Sequence, residues 1–218
     1  MNLYNSAPQI IKTIPLQVHE YFSYHYYPIK LKGQSKTVYE ERLKVFEPLI
    51  GTICCDFVGK DGLDKFVDSY VYITAKHQYQ RENIGFNREG WHTDGFGSDD
   101  ITYIWSNKQP TIYNKTEFDL SEDDILSMKE MDEQVDPSLN YSLPNNTLVR
   151  LDQFVVHKVG EFLEGNRCFL KIVFSKDIFN LEGNSVNYLL PYIWDYKPRK
   201  KERNIPYEHI RNNRRLST

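Results

Sequence analysis

The chain has 218 residues, 40% of them hydrophobic and 26% charged, enough for one packed domain and too apolar for a chain disordered throughout. No apolar run approaches the roughly 20 residues that span a bilayer, so no membrane partner is expected. The net charge of −3 is unevenly divided: residues 197–215 carry eight basic side chains against Glu202 and Glu208, a tail of +6 beside a remainder of −9.

In chain order, Pro8, Pro15 and Pro28 break any long helix in the first 35 residues. Thr37 to Ile50 reads as an amphipathic helix, with Thr37 as N-cap, Glu40 three residues on, and an apolar face of Val38, Leu43, Phe46, Leu49 and Ile50. Asp61 to Asp68 reads as a second, short helix. From residue 69 the period changes to that of strands: Ser69–Tyr79, Ile101–Ser106, Thr111–Tyr113, Thr147–Leu151, Phe154–Val159 and Arg167–Ser175, separated by turn formers such as Pro144-Asn145-Asn146. One helix interrupts the series, with Ser121 as N-cap and Glu122, Asp123 and Asp124 in its first turn. The expected fold is mainly β, a sandwich or barrel with flanking helices, most of them N-terminal. Residues 1–196 read as a single domain, with a core at about 69–175 and helical support from 1–68. Residues 197–218 read as a basic tail that either contacts phosphates, which makes a nucleic acid a candidate partner, or keeps an acidic domain solvated. Met1 to Ser6 lack a secretory layout, and Cys54, Cys55 and Cys168 make no disulfide scaffold, so a reducing, cytoplasmic setting is expected.

Chemistry concentrates in a few positions. His92-Thr93-Asp94 precedes a strand, and alternation along an extended segment points His92 and Asp94 the same way, so that both can grip one ion. His157 lies in Val155-Val156-His157-Lys158-Val159, an apolar strand pattern in which an imidazole needs a reason to be. Ten residues later Arg167 opens a strand on which Arg167, Phe169, Lys171 and Val173 share one face, and Cys168, Leu170, Ile172 and Phe174 the other. A strand that sends an Arg and a Lys inward among hydrophobes needs an anion to meet. Two imidazoles and one carboxylate suit a divalent ion such as iron. An Arg grips a carboxylate with two parallel hydrogen bonds, which Lys does not. Taken singly, His92 with Asp94 is an ordinary turn contact and His157 an ordinary core histidine; the spacing of all four is what stands out.

The order His92-x-Asp94, His157, Arg167 resembles the iron(II)/2-oxoglutarate-dependent dioxygenase family over about residues 69–175. The resemblance implies a double-stranded β-helix, or jelly-roll, with the metal in its mouth. It implies His92, Asp94 and His157 as catalytic iron ligands, with Arg167 holding the far carboxylate of 2-oxoglutarate and dioxygen as the second co-substrate. The product side is hydroxylation of a C–H bond with release of succinate and carbon dioxide. Many members place a Ser two residues after the Arg, where this chain has Phe169. The other family partner is a Tyr on the strand before the His-x-Asp pair, here Tyr79 or else Tyr72, and Lys171 is an alternative to Arg167 as the clamp. Residues 81–91 and 114–146, with Arg81, Arg88 and Trp91, fall where members bind substrate. The substrate stays open among amino acids, protein side chains, nucleobases and small metabolites. A nucleic-acid-modifying oxygenase using the basic tail, and a non-catalytic cupin-like jelly-roll, are the readings that compete.

Overall fold

A computed structural model describes residues 3–82, 90–108, 111–160, 164–192 and 194–199. Arg88 and the tail beyond residue 199 therefore lie outside the described residues. The elements in chain order are β1 (Leu3–Tyr4), β2 (Gln9–Thr13), β3 (Phe22–Lys30), a 3-10 turn at Glu41–Phe46, α1 (Glu47–Asp61), α2 (Leu63–Asp68), β4 (Tyr70–Gln80), β5 (Ile101–Ser106), β6 (Ile112–Asn114), β7 (Phe118–Asp119), α3 (Asp124–Gln134), β8 (Asn140–Ser142), β9 (Thr147–Leu151), β10 (His157–Lys158) and β11 (Gly165–Ser175). The chain is mainly β with a few helices. A six-stranded sheet has the order β2-β9-β5-β11-β4-β3, a three-stranded sheet the order β10-β6-β8, and β1 pairs with β7. Every pairing among these strands is antiparallel. No helix among the described residues is long and apolar enough to cross a membrane.

The large sheet uses its two faces differently. Val71, Ile73 and Ala75 of β4 and Cys168, Leu170, Ile172 and Phe174 of β11 pack with Leu49, Ile50, Ile53 and Phe57 of α1 and Phe66 of α2. Phe57 stacks on Phe174 with ring centroids 3.9 Å apart, and burying each such side chain contributes about 1.5–3 kcal/mol. Ile104 of β5 and Val149 and Leu151 of β9 form a second cluster with Tyr113 of β6 and Val155, Phe169 packing against it. The alternation along β11 is as the sequence predicts: even-numbered side chains meet the helices, and Phe169 faces the small sheet.

Several elements differ from expectation for local reasons. Residues 37–40 are not helical; the helix turns through a 3-10 segment and restarts as α1, with Pro48 in its first turn. A continuous helix would drive the Pro48 ring into the carbonyl of residue 44, whereas the first turn tolerates proline. The N-cap of α3 is Asp123 rather than Ser121, its carboxylate accepting from the amides of Ile125 and Leu126 at 2.8 and 2.9 Å. The expected strand Phe154–Val159 is paired only at His157–Lys158, because Asp152 draws residues 154 and 155 into a turn. The first 40 residues are strands and loops rather than helical support. β3 was hidden by Pro28 and by a bulge at Tyr26 (φ 44°), both tolerated on this edge strand.

At the end of β3, Lys30 is fully buried. Its ammonium donates to the carbonyls of Leu31, Val67 and Ser69 and lies 5.0 Å from the centroid of the Phe66 ring. It thereby satisfies a backbone acceptor at the end of α2 that helix geometry leaves open. Burial pushes its pKa down to about 8.

Candidate metal centre

His92 and His157 are brought together by backbone pairing. They form an antiparallel bridge in which each amide donates to the other's carbonyl at 2.9 Å. β10 is in turn paired with β6, so that His157 sits opposite Tyr113. The two imidazole centroids lie 4.6 Å apart. Asp94 follows at the start of a turn that needs Gly95: its φ is +69°, and a Cβ there would lie 2.9 Å from both Asp100 Cβ and Ser98 Oγ. One ligand atom from each of His92, Asp94 and His157 lies within 4.8 Å of the others.

The hydrogen bonds fix what these atoms offer. His157 Nδ1 lies 2.9 Å from the Val155 carbonyl and His92 Nδ1 3.0 Å from the Gly90 carbonyl. A carbonyl only accepts, so both Nδ1 atoms carry a proton, and in the neutral ring Nε2 is the nitrogen that offers a lone pair. Burial pushes the pKa of His157 below the usual imidazole value, against the opposing pull of Asp94, and keeps the ring neutral at pH 7. Asp94 is the reverse case. Burial alone would raise its pKa, but the Lys171 ammonium, through its charge and its hydrogen bond, holds the carboxyl well below the usual range. His157 Nε2 thus points a lone pair at an ionised Asp94 Oδ2 only 3.7 Å away. Two electron-rich atoms converging in a buried site call for a cation between them, and the donor set suits a divalent transition metal.

The cationic side chains of β11 behave differently from each other. Lys171 Nζ donates to Asp94 Oδ1 at 2.8 Å, with both side chains largely buried. Burial would lower its pKa, but Asp94 more than reverses this. Lys171 is therefore committed to the acidic ligand. Arg167 is 8% exposed, lies 5.2 Å from the Phe169 ring centroid and donates through Nε to the Lys108 carbonyl at 3.3 Å. Burial pushes its pKa down to about 10, still charged at neutral pH.

Tyr79 is a correction. It lies opposite Asn166 in the β4–β11 register, on the face of Cys168 and Leu170, and donates to Glu164 Oε1 at 2.6 Å. It is turned away from the Arg167 face. Tyr72, opposite Val173, is on the Arg167 face, but its hydroxyl is spent on the Asp177 carbonyl and the Phe179 amide. Trp91 and Trp105 are core residues at 4% and 0% exposure. Residues 114–146, expected where family members bind substrate, hold β7, α3 and β8. On the Arg167 face β4 instead presents Gln78, opposite Arg167, and Gln80, opposite Gly165, neither of which was singled out from the sequence. The signal was available: Val71, Ile73 and Ala75 mark one face of β4, which leaves Thr74, Lys76, Gln78 and Gln80 for the other.

No protein-family model and no curated protein matches the chain. Among solved structures, it is similar to EvdO2 from Micromonospora carbonacea var. aurantiaca, with 14% identity and a TM-score of 0.42 over 61% of this chain and 62% of that one. A 2OG-Fe(II) oxygenase family oxidoreductase from Burkholderia pseudomallei gives 10% identity and a TM-score of 0.38 over 69% and 65% of the two chains. The non-heme alpha-ketoglutarate-dependent epimerase SnoN from nogalamycin biosynthesis gives 12% identity and a TM-score of 0.39 over 81% and 80%. The chain spans less than two thirds of the length of EvdO2 and of the Burkholderia protein.

Proposed function

We propose that this protein is an iron(II)- and 2-oxoglutarate-dependent oxygenase whose two packed sheets form the jelly-roll that such a site occupies. The observation that carries the reading is the convergence of His92, Asp94 and His157, drawn from positions 65 residues apart, with Nδ1 of each ring hydrogen-bonded to a carbonyl so that Nε2 is the atom left to face a metal. His92 and His157 would hold the metal through Nε2 and Asp94 through Oδ2, because Lys171 occupies Oδ1. Iron(II) bound there would supply the redox chemistry that couples oxidative decarboxylation of 2-oxoglutarate to hydroxylation of a C–H bond, with dioxygen consumed and succinate and carbon dioxide released. Arg167, on the same face of β11 as Lys171, serves the far carboxylate of 2-oxoglutarate. Its buried guanidinium is anchored through Nε to the Lys108 carbonyl, and a guanidinium is the side chain suited to pairing with a carboxylate. The apolar cluster of Ile104, Val149 and Val155 between the sheets keeps water from the interior beside these charges.

The test is iron content together with succinate release on addition of 2-oxoglutarate and no other substrate, which detects uncoupled turnover. The expected result is one iron per chain and slow succinate formation that His157→Ala abolishes. Iron binding without any succinate would favour a non-catalytic metal-binding jelly-roll.

A further inference from the structure

β4 and β11 pair over eleven positions, and residues directly opposite each other share a face. Around Arg167 that face is unusual. Gln80 is 2% exposed, and among the described residues its Nε2 meets no hydrogen-bond partner; the Oε1 of Gln78 is likewise buried without one. A buried amide that gives up water without a protein partner is a standing cost, and a leucine would fill similar space without it. Two such amides, one directly opposite a buried guanidinium and the other two residues along the same face, point to a ligand that completes them. Space is available for it: Gly165, opposite Gln80, has no side chain, and among the described residues a Cβ there would meet only Lys108 Nζ, at 3.7 Å.

The chemistry of the recess follows from its groups. The Arg167 guanidinium, the Lys108 ammonium and the Gln80 amide all donate. The two ends of the Gln78 amide are near-isosteric, so turning it over presents N–H in place of Oε1. A set of donors around a buried cation fits a carboxylate. The hydroxyl donors sought from the sequence are absent from this place, since Phe169 holds one position and Tyr79 faces away.

We propose that Gln78 and Gln80 contact the far carboxylate of 2-oxoglutarate, completing with Arg167 a cradle built from amides. The inference rests on the oxygenase reading and assigns these two residues a role within it. The test is calorimetric titration of 2-oxoglutarate into full-length protein loaded with manganese(II), so that no turnover accompanies binding. Gln78→Leu and Gln80→Leu are compared with wild type and Arg167→Ala. Each leucine variant should raise the Kd about tenfold or more, the loss expected for one hydrogen bond to a charged group. The metal-free leucine variants should melt at or above the wild-type temperature, because the substitutions remove the buried Gln80 Nε2 and Gln78 Oε1, which have no partner among the described residues. A Kd within twofold of wild type, or a melting temperature several degrees lower, overturns the assignment for that residue. If wild type binds and Arg167→Ala does not, such a result condemns the amide cradle alone. If wild type itself binds no 2-oxoglutarate, the oxygenase reading falls and the cradle falls with it.

Discussion

Lys171 Nζ and Asp94 Oδ1 form a buried ion pair at 2.8 Å, while the other oxygen of the same carboxylate faces His157 Nε2 at 3.7 Å. One oxygen is thus committed to Lys171, and the other is the one left to face the proposed metal. The pair joins β11 to the loop before β5, and it sets the direction from which Asp94 approaches a cation.

Lys171→Met should leave Asp94 buried without its partner. Breaking one side of a buried pair costs about 3–5 kcal/mol, so the metal-free variant should melt well below wild type. Manganese(II) should then raise its melting temperature by more than it raises that of wild type, because the metal becomes the sole counter-charge of Asp94. Scanning fluorimetry with and without the metal measures both shifts. Equal shifts in the two proteins would show that Lys171 does not govern the ligand.

Arg167→Ala should raise the KM for 2-oxoglutarate by about 30-fold to a few thousand-fold, matching roughly 2–5 kcal/mol for a buried charge-assisted contact. Iron content should stay near wild type. Arg167→Lys should recover only part of the loss, since a point charge lacks the paired geometry of the fork. Initial rates over a range of 2-oxoglutarate concentrations decide this, and an unchanged KM in Arg167→Ala would remove Arg167 from the site.

Gly95→Ala should weaken metal binding although residue 95 is not itself a ligand. The added Cβ meets Asp100 and Ser98 at 2.9 Å in a left-handed backbone, so the turn has to shift and takes Asp94 with it. A strained position of this kind costs about 1–3 kcal/mol. A chelator competition assay should show the loss in metal affinity, together with a lower melting temperature.

Stability should rise with pH in a window set by Lys30. Its pKa is about 8 in the fold against 10.5 for an ordinary lysine, so between these values the unfolded chain binds more protons than the folded one. The penalty for burying the ammonium is fully present below pH 8 and is relieved as pH approaches 10.5. Urea denaturation at pH 7.5 and 10 should show wild type gaining stability relative to Lys30→Met, which has no such titration. The reverse trend would mean that the three carbonyls stabilise the charged form more than burial penalises it.

The parts of the site that were legible in the sequence depend on local geometry. His92 and Asp94 are two residues apart, and the alternation of β11 separates Arg167, Phe169 and Lys171 from Cys168 and Leu170 without reference to another strand. The partners across strands were not legible in the same way. Placing Tyr79 beside Arg167 requires the β4–β11 register, and a shift of one residue reverses every side chain. The true register puts Gln78 there. Lys171 shows a second limit. Its face was readable from the strand pattern, but its contact with Asp94 depends on the turn at Gly95, which has no periodicity. β3 was missed because its bulge at Tyr26 interrupts the two-residue repeat.

The position of β11 has a consequence for synthesis. This late strand, Gly165–Ser175, lies between β5 and β4 in the middle of the six-stranded sheet. Until it leaves the ribosome, β4 with β3 and β5 with β9 and β2 are two half-sheets, each with an open edge where β11 belongs. Such edges recruit strands from other chains, and closing them requires contacts distant in sequence, which slows folding. A message truncated before codon 165 would therefore yield not a less stable protein but an aggregating fragment, and a chaperone that shields nascent chains would be needed most in the interval before that strand arrives.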